Sequence, residues 1–118
     1  MTPCGQIRKF ALALDGVTEK SHFGTPSWRA ANGKMFAEAN EDKNEAIFKL
    51  SKMHQEILFE TRPKTFQPAI WGAIRWCRVA LDGVSAGELK ELVREAYDEV
   101  TIKPARKPSA KRPAKPRR

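Results

Sequence analysis

The last sixteen residues, KPARKPSAKRPAKPRR, set the first limit on what this chain can fold into. Pro104, Pro108, Pro113 and Pro116 each fix φ and remove a backbone N–H, so neither a regular helix nor a central strand can run through them. The same segment holds Lys103, Arg106, Lys107, Lys111, Arg112, Lys115, Arg117 and Arg118 with no acidic residue, and these like charges repel one another. Alanine is its only other apolar residue, which leaves nothing substantial to bury. The expectation is a disordered, extended tail over 103–118, able to reach roughly 50 Å at ~3.1 Å per residue. The folded body must then lie in residues 1–102.

That division also sorts the charge. The whole chain of 118 residues carries 22 Lys and Arg against 14 Asp and Glu, a net +8. Eight of the cations and none of the acids lie in 103–118, so 1–102 keeps fourteen of each and is formally neutral. A basic chain usually signals a nucleic-acid-binding surface, and here the inference attaches to the tail. Lys and Arg neutralise phosphates and release counterions whatever the base sequence. The composition is similar to the Lys/Pro/Ala tails of histone-H1-like proteins. A solubilising tail is the alternative. An anionic membrane would attract the same charges, but no apolar anchor accompanies them.

The body is the size of one domain, with enough apolar residues for a small core. No stretch approaches the ~18 apolar residues of a membrane span. Met1–Gln6 has neither the basic start nor the apolar run of a signal peptide. Two cysteines, Cys4 and Cys77, exclude a disulfide scaffold and a Cys-rich zinc module. With only His22 and His54 as histidines, no metal and no cofactor is expected. The setting these features imply is the cytoplasm, with association to the nucleoid as an extension of the DNA-binding reading.

Local signals give the order of elements. Thr2 is an N-cap and Pro3 fits the first helical position, followed by a stripe of Ile7, Phe10, Ala11 and Leu14 that Gly16 stops. His22-Phe23 belongs to a short strand ending at Gly24. Asn32-Gly33 signals a type I′ turn joining strands Ser27–Ala31 and Lys34–Ala39. Glu45–Leu50 is a third strand after a polar loop. Ser51 caps a helix to about Glu60, with Met53, Ile57 and Leu58 inward. In 64–74 Pro68 and Gly72 argue for a loop while Ile70 and Trp71 argue for partial burial, and Arg75–Leu81 is a strand. Ser85-Ala86-Gly87-Glu88 is a capping box, with Val84 stapled to Leu89 and an apolar face of Leu89, Leu92, Val93, Ala96 and Val100. Helix, strands, helix, strand, helix without a βαβ repeat predicts an α+β fold: a single antiparallel sheet with helices packed on one side.

The run Ala11-Leu12-Ala13-Leu14-Asp15-Gly16-Val17-Thr18-Glu19-Lys20, then His22-Phe23-Gly24 with Pro26-Ser27-Trp28-Arg29, then Gly33-Lys34-Met35-Phe36-Ala37, resembles the MmcQ/YjbR family. Phe48-Lys49-Leu50-Ser51, Trp76 with Arg78-Val79 and Leu81, and Glu88-Leu89 with Tyr97 extend the resemblance over about residues 5–101. It implies a small α+β domain with one antiparallel sheet and a DNA-binding role, and it identifies no enzymatic reaction. Two departures stand out. The loop Ile70-Trp71-Gly72-Ala73-Ile74 has Arg75 as its only cation where relatives often carry Lys or Gly-Lys, and the basic tail lies outside the family domain.

The candidate sites follow. The eight tail cations are the main nucleic-acid contacts, with DNA favoured over RNA as partner. In the body, Arg29, Lys34, Arg75, Trp76 and Arg78 are candidates for phosphate contact or base stacking. Trp76 and Arg78 alternate with Cys77 and Val79, so an indole and a guanidinium share the outer face unless a helix or the Trp71 loop covers the ring. An apolar strand position makes Cys77 inert. His22 is either a possible ligand or base or, more plainly, a structural hydrogen-bond donor beside a turn. The reading is a non-enzymatic DNA-binding protein. Its rivals are a small-molecule or protein-binding module whose tail aids solubility or RNA association, and an enzyme using His22. Every folding signal lies before residue 103, so deleting 103–118 is expected to move the melting temperature by no more than a few degrees. A larger drop in thermal denaturation would mean that the tail packs on the body.

Overall fold

The computed structural model describes residues 2–22, 24–71 and 74–102. For His22, Ile70, Trp71, Ile74 and Arg75 it describes the backbone alone. The expectation of a disordered tail over 103–118 falls outside the described residues.

Thr2 opens the first helix, α1 (Pro3–Leu12), its Oγ1 accepting from the Gly5 N–H at 3.0 Å with Pro3 in the first turn. Four strands follow as a meander: β1 (Thr18–His22), β2 (Thr25–Arg29), β3 (Met35–Asn40) and β4 (Glu45–Phe48). Helix α2 (Lys52–Thr61) then carries the chain to the far edge, where β5 (Phe66–Trp71) pairs with β6 (Ile74–Ala80). A 3-10 turn at Leu81–Gly83 leads into α3 (Ala86–Thr101). The six strands stand in the order β1-β2-β3-β4-β6-β5, antiparallel throughout. The α+β class with one antiparallel sheet holds.

Burial assigns the faces. Trp28, Ala37, Phe48 and Cys77 are cross-strand neighbours in one row, and all are buried in a single cluster with Ile7 and Ala11 of α1, Leu58 of α2 and Leu89, Leu92, Val93 and Ala96 of α3. All three helices therefore close the same face. The four aromatic rings buried there (Trp28, Phe36, Phe48, Phe66) join eight buried Leu, Ile and Val side chains, each large apolar side chain contributing about 1.5–3 kcal/mol. Phe36 stacks edge-on against Tyr97 at 5.6 Å, and the Tyr97 hydroxyl donates to the Asp15 carbonyl at 2.8 Å, tying α3 to the α1–β1 connection.

Within 64–74 the segment Phe66–Trp71 is a strand, and Pro68 is accommodated because β5 is the sheet edge. Two local expectations are corrected. The β2–β3 turn is not type I′. Asn32 has negative φ and only Gly33 is left-handed (φ 86°). Gly33 N–H donates to the Ala30 carbonyl and Ala30 N–H to the Lys34 carbonyl, the pattern of a three-residue loop with glycine at its last position. A bulge beside it pairs Trp28 with Ala37 but Arg29 with Met35, so Phe36 and Ala37 both turn inward. In α2, Met53 and Ile57 are not inward but 74% and 51% exposed, while Gln55 and Leu58 are buried. The Ser51 cap sets the phase of this ten-residue helix, and Gln55 is drawn in by donating to the Leu50 carbonyl at 2.8 Å. His22 does belong to a short strand, β1, which runs from Thr18.

The capping box at α3 forms by half. Ser85 Oγ accepts from the Glu88 N–H at 3.2 Å, but the Glu88 carboxylate turns to the Arg62 guanidinium. Arg62 also donates to the Gly83 carbonyl at 2.8 Å and lies 4.9 Å over the Phe66 ring, so one side chain joins the end of α2, the start of β5 and the start of α3. Its pairing with Glu88 raises the guanidinium's pKa further and keeps it charged. Ser85→Ala should cost about 1 kcal/mol of stability, the usual loss for an N-cap serine. Chemical denaturation measures it, and a neutral result would mean that Arg62 alone fixes the helix start.

Candidate nucleic-acid interface

The outer face of the sheet carries Arg29, Trp76 and Arg78, with Lys34 in the hairpin at its end. Cross-strand registers run Lys20–Ser27–Glu38–Ile47–Arg78–Gln67 in one row, with Arg29 and Met35 in the next row toward the β2–β3 turn and Asn40, Glu45 and Ala80 on the other side. Arg29 sits at the end of β2, where its Nη1 donates to the Gly33 carbonyl at 3.2 Å. Lys34 is exposed in the same hairpin, its N–H held by Asn32 Oδ1 at 3.0 Å. These two cations come together. Arg78 does not join them: it lies three strands away, roughly 14 Å at the usual strand spacing. Glu38 and Glu45 share the face, and the Glu45 carboxylate is 3.9 Å from Arg78 Nε.

Trp76 is on this face but is no stacking platform. It is only 7% exposed and pairs across the ladder with Ala69, itself buried, while Arg78 next to it is 41% exposed. Of the two alternatives for this pair, the covered ring with an outward guanidinium is the one found. Trp28 lies on the opposite face, its Nε1–H donating at 3.1 Å to Glu19, which also holds Arg8 at 2.8 Å. Trp28 and Trp76 thus cannot line one pocket with His22. His22 ends β1 opposite Thr25, its side chain outside the described residues; so is that of Arg75, which pairs by backbone with Ile70. The eight tail cations from Lys103 to Arg118 lie outside the described residues as well. Cys77 is fully buried, as expected.

Charge is segregated between elements in a way that the neutral total conceals. Helices α2 and α3 carry seven carboxylates against three cations, a net −4. The rest of 1–102, α1 with Arg8 and Lys9 included, carries eleven cations against seven carboxylates, a net +4. Sequence reasoning summed the body and so missed this; counting charge element by element would have found it. The acids line a groove of about 1180 Å³ between the start of α2 and the length of α3, with Glu91, Glu95, Asp98 and Glu99 along it and Ile102 at its end. Burial, with Glu95 nearby, raises the pKa of the Glu99 carboxyl, against the opposing pull of Lys49. A second cleft, of about 280 Å³, lies between the start of α1 and the β1–β2 and β3–β4 turns. It includes Cys4, whose thiol is pushed up by burial and by Glu41.

Among the described residues there is no group of three or more His, Cys, Asp or Glu that could hold a metal ion, and no helix long and apolar enough to cross a membrane.

With this geometry in place, comparison with known proteins is informative at the level of family. A crystal structure of Deinococcus radiodurans protein DR2400, assigned to the domain DUF419, superposes with a TM-score of 0.75 at 25% identity, covering 86% of this chain and 83% of that one. No curated protein matches the chain. The YjbR family model matches residues 12–99, from the end of α1 through α3, three quarters of the chain, and the chain belongs to the YjbR family.

Proposed function

We propose that this is a non-enzymatic nucleic-acid-binding protein, acting on DNA in preference to RNA and located in the cytoplasm in association with the nucleoid. The observation that carries the reading is the charge partition: eight contiguous, unopposed cations follow a body that is neutral in sum. The tail binds phosphates without regard to sequence, and the outer face of the sheet meets the duplex while α2 and α3, at net −4, face away. Arg29 and Lys34 at the β2–β3 hairpin are the body's contacts in this arrangement, with Arg78 a weaker one because Glu45 shares its surroundings. Gel shifts of the full chain and of residues 1–102 with duplex DNA, then with RNA of the same sequence, test it. No shift with either nucleic acid would favour the rival reading, a small-molecule or protein-binding module, for which the cleft beside α1 is the natural site.

A further inference from the structure

The loop of the β2–β3 hairpin is fastened to the end of α3 by one side chain. Helix α3 ends at Thr101, and the last four carbonyls of a helix have no partner within it. The Ile102 N–H satisfies the Asp98 carbonyl, and Asn32 Nδ2 satisfies the Val100 carbonyl at 2.9 Å. The other end of the same amide, Oδ1, accepts from the Lys34 N–H at 3.0 Å and so shapes the loop that presents Lys34. Arg29 grips this loop too, through the Gly33 carbonyl at 3.2 Å. A second attachment is steric. A Cβ added at Gly16 would meet the Ala31 Cβ at 2.8 Å, so the loop also lies against the α1–β1 connection, which Tyr97 of α3 holds through the Asp15 carbonyl. The loop and its two cations are thus pinned near Val100, and the unopposed run of cations begins three residues later, at Lys103. The carboxylates Glu91, Glu95, Asp98 and Glu99 line the α2–α3 groove, and none of residues 30–34 does.

We propose that Arg29, Lys34 and the cations from Lys103 onward make one composite site for duplex DNA, in which hairpin and tail hold phosphates of the same short stretch of backbone. The composite site rests on the nucleic-acid-binding reading and adds its geometry. Two weak binders that start from neighbouring points act as one, because contact by either raises the local concentration of phosphate at the other to about the millimolar range or above. Two cations on a hairpin hold a duplex poorly alone. Beside the origin of an eight-cation segment, they add about one or two released counterions to each binding event. Direction of approach matters as well: DNA coming from the hairpin side meets Arg29 and Lys34, whereas the groove side of α3 presents carboxylates. The body thereby fixes where on the duplex the tail's contacts start, without reading the base sequence.

Insertion of twelve Gly and Ser residues between Ile102 and Lys103 of the full chain tests this, since it alters no described contact and leaves every charge in place. The insert adds about 19 Å of r.m.s. span and dilutes one set of cations relative to the other. Titrated with a short DNA duplex at low salt, the inserted chain should bind about fivefold more weakly than the native chain. Lys34→Gln should weaken the native chain by a similar factor and flatten its salt slope by about 1. The loop survives this substitution, because Asn32 holds the backbone N–H of residue 34 and the Lys34 side chain is exposed. In the inserted chain Lys34→Gln should cost less than about twofold, and that non-additivity marks a shared site. Equal cost of Lys34→Gln with and without the insert, or an insert without effect, would overturn the proposal while leaving nucleic-acid binding by the chain intact. Absence of any duplex binding by the native chain would overturn the reading on which the composite site rests, and the composite site with it.

Discussion

Removing residues 103–118 should weaken binding to duplex DNA at least tenfold at low salt and flatten its salt dependence. The argument is one of charge count. Eight cations leave with the tail, and the body that remains is formally neutral. If about six of the eight meet phosphates, log K falls with log salt at a slope of roughly −5 for the full chain. The chain ending at residue 102 keeps only what the sheet side supplies. Arg29 and Lys34 are its adjacent pair, and Arg78 is partly offset by Glu45, so its slope should be about −1 to −2. Titrations at two salt concentrations measure both. A shortened chain with undiminished affinity and an equally steep slope would move binding to the basic remainder of the body outside α2 and α3 and leave the tail a solubilising segment. The uneven charge of the elements makes that outcome physically possible, since a neutral sum can hide a basic face.

How far the sequence revealed this protein varies with the kind of signal each element carries. Helix starts were legible because they are local: Thr2, Ser51 and Ser85 each cap with their own hydroxyl three residues upstream of the N–H they satisfy. The inward side of β6 was legible too, because alternation puts Cys77 and Val79 on one face and only an apolar face can be core. Strand β5 was hidden because Pro68 argues against a strand until one knows that the strand lies at an edge, and edge position is a property of the whole sheet. The inward face of α2 was misread because ten residues give an ambiguous stripe, and the deciding contact, Gln55 to the Leu50 carbonyl, is polar. Arg62 showed no local sign of joining three elements, since its partners Phe66, Gly83 and Glu88 gather around it only after the sheet has formed. At the candidate interface, composition identified the tail, whereas the distances between Arg29, Lys34 and Arg78 depend on strand order, which no local pattern encodes.

Gly16→Ala should be among the most damaging single-methyl additions this fold can receive, and comparison with Gly33→Ala shows why. Both glycines have positive φ, 76° and 86°. A side chain in that conformation costs roughly 1–2 kcal/mol. At Gly33 nothing lies within 4 Å of an added Cβ, so Gly33→Ala should cost about 1 kcal/mol and no more. At Gly16 the added Cβ would fall 2.8 Å from the Cβ of Ala31, well inside ordinary carbon contact. No rotamer relieves a methyl against a methyl. Either the α1–β1 connection or the β2–β3 hairpin must shift, and each is held: Tyr97 binds the Asp15 carbonyl at 2.8 Å, and Asn32 Nδ2 donates to the Val100 carbonyl at 2.9 Å. The total should reach about 2–4 kcal/mol, a fall of roughly 10–20 °C in Tm for a domain of this size, against about 5 °C for Gly33→Ala. Thermal unfolding followed by circular dichroism measures both. Adding Ala31→Gly to Gly16→Ala should recover the steric part and leave the φ part, a non-additivity that identifies the contact as the cause. Equal losses at the two glycines would mean that the hairpin yields without cost, and that the connection between α1 and β1 is looser than its hydrogen bonds imply.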